Sequence, residues 1–196
     1  MGRKGRIIKR LLDISVAGLG LVLLAPFLLL LVLIARFDTG ASGVFAQMRI
    51  GQHAKPFTLY KLRTMTDGTG GYVTTKRDPR ITKIGAILRR YKLDELPQLW
   101  NVLIGQMSLV GPRPDMPGYL DHLTGSDRRL WVLRPGITGP ASVKFRDEET
   151  LLASAEDPQH MNDHVIWPEK VRINLDYLDH WSFRKDLRIL KETLIP

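Results

Sequence analysis

From Ile14 to Ala35 the chain carries no charge and is almost wholly apolar, a run of about 22 residues where roughly 20 suffice to cross a bilayer as a helix. This predicts an N-terminal membrane helix and leaves the rest of the 196 residues to build one globular domain. A secretory leader also opens on a basic region, here Arg3, Lys4, Arg6, Lys9 and Arg10, but its apolar core runs only about 7 to 15 residues. The segment is therefore read as an anchor that stays. Pro26 lies inside it, where a proline removes one helical hydrogen bond and clashes with the preceding turn, so a kink or break is expected there. Cations flank the run on both sides, with Arg36, Arg49 and Lys55 after it, and Lys/Arg excess favours the cytoplasmic face. Two topologies stay open: a tilted, kinked single pass, and a re-entrant helix that bends at Pro26 and returns to the face it entered.

A formal charge of +9 implies an anionic partner: nucleic acid, an acidic membrane surface or a phosphorylated substrate. The aromatics are scattered and no recognition motif appears, so nucleic acid is not the expected partner. The absence of cysteine excludes disulfides, thiolate metal sites and cysteine nucleophiles. There is no phosphate-binding glycine loop ending in Lys-Ser/Thr, no dinucleotide fingerprint and no nucleophile elbow.

After the anchor, Val44–Ala46 and Phe57–Tyr60 read as strands around a turn at Gly51-Gln52-His53, which makes a hairpin. Asp67–Gly71 reads as a glycine-rich loop. Ile84, Ile87, Leu88 and Tyr91 have helical spacing, with Arg89, Arg90 and Lys92 between them, and predict an amphipathic helix. A second helix is expected from Pro97 towards Gly105; because a proline biases the residue before it away from helix, Asp94 and Glu95 should sit at a break. Arg134–Pro140 is too rich in glycine and proline for regular structure. Residues 148–163 form an acidic surface insertion with a helical piece at Leu151 and Leu152. The stretch from Trp181 to Leu194 predicts an amphipathic helix, either on the membrane or packed on the domain.

Asp94 and Glu95 are vicinal carboxylates in one of the most basic stretches of the chain. A surface ion-pair cluster would look the same, but phosphoryl transfer needs this mixture: cations on phosphate oxygens, and a carboxylate to attack phosphorus or hold a divalent metal. Arg63, Arg89 and Arg113 can bind phosphate bidentately, and the prolines on either side of Arg113 restrict its backbone. His160 and His164 are spaced like two ligands on one helical face, without the glutamate of a zinc-protease motif.

As a string, Lys61-Leu62-Arg63-Thr64-Met65, Leu93-Asp94-Glu95-Leu96-Pro97-Gln98, Asn101-Val102-Leu103, Gly105, Met107 to Pro114 and Arg134 to Gly139 resemble the monotopic phosphoglycosyl transferases, the bacterial sugar transferase family. The resemblance covers nearly the whole chain, down to Ser182, Asp186 and Thr193. It implies an α/β fold: residues 1–37 as a basic flank and a re-entrant membrane helix broken at Pro26, and residues 38–196 as a catalytic domain on the cytoplasmic face of the bacterial inner membrane, resting on lipid through interfacial helices. It also implies the activity, transfer of a sugar 1-phosphate from a UDP-sugar to polyprenyl (undecaprenyl) phosphate with release of UMP, an opening step in building glycoconjugates such as exopolysaccharide. Asp94 would be the nucleophile, forming an aspartyl phospho-sugar. Glu95 would assist, and Mg²⁺ held at Asp94 and Glu95 would offset the charge of the diphosphate. Arg89, Arg113, Lys61 and Arg63 would bind phosphate. Two positions depart from the pattern: Ala25 stands where relatives carry serine before the membrane proline, and Asn174 where they carry aspartate, with Asp176 close by. The rival reading within enzymes is a transferase that moves only the glycosyl group and releases UDP.

Overall fold

A computed structural model describes residues 2–68 and 78–195; residues 69–71 of the expected glycine-rich loop lie outside them. The apolar run folds as one helix, α1 (Arg3–Thr39), of 37 residues. At 1.5 Å per residue it is about 55 Å long, against roughly 30 Å of hydrocarbon in a bilayer. Among the described residues it is the one helix long and apolar enough to cross a membrane. The break expected at Pro26 is not a break in the helix, which continues through that residue. Pro26 sits on the exposed side, where no packed neighbour prevents the adjustment that its ring demands. Gly40, in the left-handed region at φ 70, ends α1 by returning its N–H to the Arg36 carbonyl.

One stripe of α1 packs on the domain, with Lys9, Asp13, Ala17, Leu31 and Ala35 buried at helical spacing. The opposite side exposes Leu19, Val22, Leu23, Leu29, Leu30 and Phe37. An apolar face of this extent is costly in water and suggests association with a membrane.

The hairpin forms as expected but longer, with β1 (Val44–Ile50) antiparallel to β2 (Pro56–Leu62) and Val44 opposite Leu62. Its faces diverge in use. Phe57 and Leu59 enter the main core, while Leu62 packs with Leu31 and Leu88 in a second cluster. The helices that follow are α2 (Lys83–Arg90), capped by Thr82, and α3 (Gln98–Leu103). Asn101 of α3 closes the outer edge of β2: its amide accepts from Tyr60 N–H at 3.2 Å and donates to the Thr58 carbonyl at 2.7 Å, as a third strand would.

The apolar stripe expected on α2 exists but faces outward: Leu88 is buried, whereas Ile84, Ile87 and Tyr91 are exposed, as are Trp100 and Ile104 around α3. The expectation for Arg134–Pro140 is also corrected. Gly136–Thr138 is a strand, β4, parallel to β3 (Ser108–Val110). The two backbones come so close that a Cβ at Gly136 would lie 2.2 Å from Gly111 N, and one at Gly139 1.9 Å from Gly111 O. Glycine permits this approach, and the same glycines make the segment read as loop.

The chain then runs through α4 (Pro140–Lys144), α5 (Glu148–Ala153), α6 (Pro158–Met161) and a π-turn at Asn162–Ile166 into α7 (Trp167–Asp179). The last helix, α8 (Phe183–Leu194), is capped by Ser182; it buries Asp186 and Ile189 and leaves Phe183 and Leu187 exposed. Val102, Met107, Val110, Leu130, Tyr177 and Ile189 are at the centre of the mixed α/β core.

Candidate active site

The bend between α2 and α3 presents the two carboxylates. Lys92 adopts φ 57, the left-handed region that ends a helix, and Leu93–Glu95 follows as a single 3₁₀ turn into Pro97, the residue before α3. Asp94 is thereby turned inward: it is buried, and its Oδ1 is shielded from solvent with no hydrogen-bond partner among the described residues. Burial, helped by the neighbouring Glu95 charge, raises the Asp94 pKa above the usual carboxylate range, while Lys61, Arg89 and Lys92 oppose the rise.

Glu95 is part-buried, and its desolvation alone would raise its pKa, but Lys61, Arg113 and Lys92 outweigh that and hold it below the ordinary value. Its Oε1 lies 3.3 Å from Lys61 Nζ and 3.9 Å from Arg113 Nη1. Two adjacent carboxyls are thus driven apart in acidity, which suits two different roles. Burial lowers the Lys61 pKa despite Glu95, with repulsion from Arg113 and Arg49 adding to the effect.

Lys61 and Glu95 share a narrow cleft with Arg113, Arg49, Gln98 and Gly136. The expected residues distribute unevenly around it. Lys61, Glu95 and Arg113 meet in the cleft, and Asp94 is beside them on the same turn. Arg89 reaches Met65 Sδ at 3.7 Å and acts on Asp94 through its charge. Arg63 turns to the Ser42 carbonyl at 2.8 Å and to Asp67 at 3.0 Å, at the base of the hairpin. Asp176 is a surface group paired with Lys185 and His180, whereas Asn174 is buried and its Oδ1 has no partner among the described residues. The His160 and His164 rings are 4.4 Å apart, and no group of three or more metal-ligating side chains occurs among the described residues.

Sequence reasoning placed Arg49 only among the cations flanking the anchor. The signal that would find it is register: Phe45 pairs with Lys61 and Gln47 with Leu59, so Arg49, two residues on, shares a face with Lys61.

Asp115 follows in the same loop as Arg113. Burial pushes its carboxyl up to about 6 even though Lys170, Arg113 and Arg49 pull it down. A carboxyl whose folded pKa exceeds its unfolded value binds more protons when folded, so stability falls as pH rises from about 4 to 6 and then levels. Asp115→Asn is expected to remove that slope and to stabilise the protein at pH 7.5 by at most about 3 kcal/mol. Thermal unfolding of both proteins between pH 4 and 8 checks this; parallel curves would mean that Asp115 is not desolvated.

The sequence pattern described as bacterial sugar transferase matches residues 4–196. A relative from Bacillus subtilis (strain 168), "Uncharacterized sugar transferase EpsL", is 39% identical over 185 residues, covering 94% of this chain and 84% of the relative. The "UDP-glucose:undecaprenyl-phosphate glucose-1-phosphate transferase" of Caulobacter vibrioides is 36% identical over 192 residues, covering 95% and 68%. The "Exopolysaccharide production protein PSS" of Rhizobium leguminosarum bv. phaseoli is 36% identical over 199 residues, covering 96% and 94%. With a match of this extent running through the long apolar helix, the carboxylate bend and the paired glycine segments, the chain belongs to the bacterial sugar transferase family.

Proposed function

We propose that this protein transfers a sugar 1-phosphate from a UDP-sugar to a polyprenyl phosphate, undecaprenyl phosphate by the name of its Caulobacter relative, and releases UMP. The observation that carries this reading is Asp94: a buried carboxylate with an unpartnered oxygen at a helix break, within the field of Lys61, Arg89 and Lys92. Stripped of solvent, a carboxylate is a better nucleophile, and the surrounding cations let it ionise and let an anionic diphosphate approach.

In the first half-reaction an Asp94 oxygen forms a bond to the phosphorus that bears the sugar, and the bond from that phosphorus to the UMP oxygen breaks, its electron pair leaving with UMP. In the second, an oxygen of the acceptor phosphate attacks the same phosphorus, frees the Asp94 carboxylate and yields a sugar linked to the lipid through a diphosphate. Lys61 and Arg113, held in place by Glu95, face the phosphate oxygens. Asp94, with its unpartnered oxygen, and Glu95 would hold a divalent cation such as Mg²⁺, which would supply charge neutralisation at the diphosphate.

The contacts of α1 support a re-entrant placement with the domain on one face, the cytoplasmic one by the flanking cations. Near its start Lys9 pairs with Asp186 at 2.7 Å and Arg10 donates to the Val102 and Leu103 carbonyls; at its end Thr82 donates to Asp38. Both ends therefore hold the same domain, which cannot occupy two sides of a bilayer. The outward apolar residues of α2 and α3 fit an interfacial setting. An apolar groove of about 330 Å³ between Leu21, Leu28 and Val32 of α1 and Tyr60, Pro97 and Trp100 adjoins the carboxylate bend and suits an acceptor with a hydrocarbon chain.

The test is nucleotide release from purified protein in nanodiscs given Mg²⁺, polyprenyl phosphate and a panel of UDP-sugars. UMP in step with lipid-linked product is the expected result. UDP would replace the proposal with transfer of the glycosyl group alone.

A further inference from the structure

We infer that Arg49 is a phosphate-binding residue of the donor site, holding the diphosphate of the nucleotide sugar from the hairpin that forms part of the cleft. The inference rests on the function proposed above and extends it to a residue that none of the motif arguments reached.

The argument begins with what surrounds this guanidinium. Arg49 is part-buried at the end of β1 and lines the cleft with Lys61, Glu95 and Arg113. Its Nη2 donates to Gln47 Oε1 at 2.7 Å, and its Nη1 makes a long contact of 3.4 Å with the Pro114 carbonyl. Both acceptors are neutral. Among the described residues its buried Nε has no partner and Arg49 forms no ion pair with a carboxylate.

A cation withdrawn from water is normally matched by an anion, because the lost hydration must be replaced. Here the replacement is incomplete, and Arg113 adds repulsion: burial first and Arg113 second lower the Arg49 pKa, against the attraction of Asp115. The same repulsion reaches Lys61, so three cations around one cleft oppose one another while Glu95 engages only Lys61 and Arg113. A guanidinium kept in that position, with an N–H still to give, is built to receive an oxyanion, and its planar fork matches phosphate. Inorganic pyrophosphate or a nucleoside diphosphate carries the charge that this arrangement lacks.

A purely structural role makes a competing prediction. The contact with Pro114, together with the Ile50 N–H donated to the Asp115 carbonyl at 2.9 Å, ties β1 to the loop that carries Arg113. If that tie were all, altering the charge of Arg49 while keeping its contacts would not change anion affinity.

Two substitutions separate these roles. Arg49→Lys keeps a cation and removes the fork. Gln47→Glu keeps shape and hydrogen bond but places a carboxylate on Nη2, so that Arg49 is neutralised from within while the fold gains an ion pair. The readouts are thermal unfolding without ligand, the Kd of inorganic pyrophosphate by calorimetry with Mg²⁺ present, and the KM and kcat for the UDP-sugar that wild type turns over. Expected are a pyrophosphate Kd raised at least tenfold in Arg49→Lys and at least fivefold in Gln47→Glu, a donor KM that rises more than kcat falls, and a Tm in Gln47→Glu equal to or above that of wild type. A pyrophosphate Kd within twofold of wild type in the folded variants overturns the inference. Should Arg49→Lys fail to fold, Gln47→Glu decides alone. A wild type that binds pyrophosphate in an Arg49-dependent way yet releases no UMP from any UDP-sugar would defeat the proposed reaction and leave the anion site standing.

Discussion

Asp94→Asn is expected to lower UMP release by roughly 10⁴-fold or more, the scale on which removing a covalent nucleophile acts. Asparagine has nearly the same volume, so the cavity around it stays filled, and it cannot form the acyl phosphate. The fold should tolerate the change or gain from it. Asp94 is buried with one oxygen unpartnered, and its raised pKa shows that ionisation there is unfavourable. Exchanging a buried charge for a neutral amide removes that cost. The measurement pairs a nucleotide assay with thermal unfolding in the same detergent. Activity within tenfold of wild type would deny Asp94 the role of nucleophile, and a large fall in Tm would mean that its environment supports the charge better than its contacts indicate.

Asp186→Ala is expected to be the most damaging single change outside the cleft, at about 3–5 kcal/mol, the usual result of breaking a buried ion pair from one side. The Asp186 carboxylate accepts from Lys9 Nζ at 2.7 Å, Tyr177 Oη at 2.6 Å and Trp181 Nε1 at 3.1 Å. Burial and the Asp186 charge raise the Tyr177 phenol far above its usual range, so it acts as a donor. Alanine would take the shared acceptor from the buried Lys9 and Tyr177 and from the part-buried Trp181. For a chain of this size the loss corresponds to a Tm lower by roughly 6–20 °C. Lys9→Met should cost less than half as much, because Asp186 then keeps two donors while its own charge stays hydrogen-bonded. Equal losses in the two variants would show that the pair acts through its mutual attraction alone.

The contrast between what the sequence revealed and what it hid follows the range of the interactions. The hairpin was legible because strand alternation and a turn are local, and the bend at Asp94 and Glu95 because Pro97 constrains the residue before it. The strand Gly136–Thr138 was hidden, since its pairing depends on a second glycine-bearing segment 25 residues earlier at Gly111 and glycine counts against strands in isolation. The stripe on α2 was visible but its direction was not. Helical spacing of Ile84, Ile87 and Tyr91 is the same whether the stripe meets a protein core or a lipid surface. Around the cleft, Asp94, Glu95 and Arg113 stood out by charge and by their prolines, and the resemblance to the family gave them their roles and added Lys61, while Arg49 needed the register of the hairpin, and Asn101 stood in a motif whose part in closing β2 only the folded geometry displays.

Lys9 and Asp186 are 177 positions apart, so their pairing waits for all of the intervening chain to be made. At a synthesis rate of about 5–20 residues per second, roughly 10–35 s separate the emergence of one from the other. Throughout that interval α1, with its exposed apolar side, is without the partner that fixes its first turns. The lock that seats the helix against the domain thus closes only after the segment bearing Asp186 has left the ribosome, and until then hydrophobicity alone directs where α1 goes.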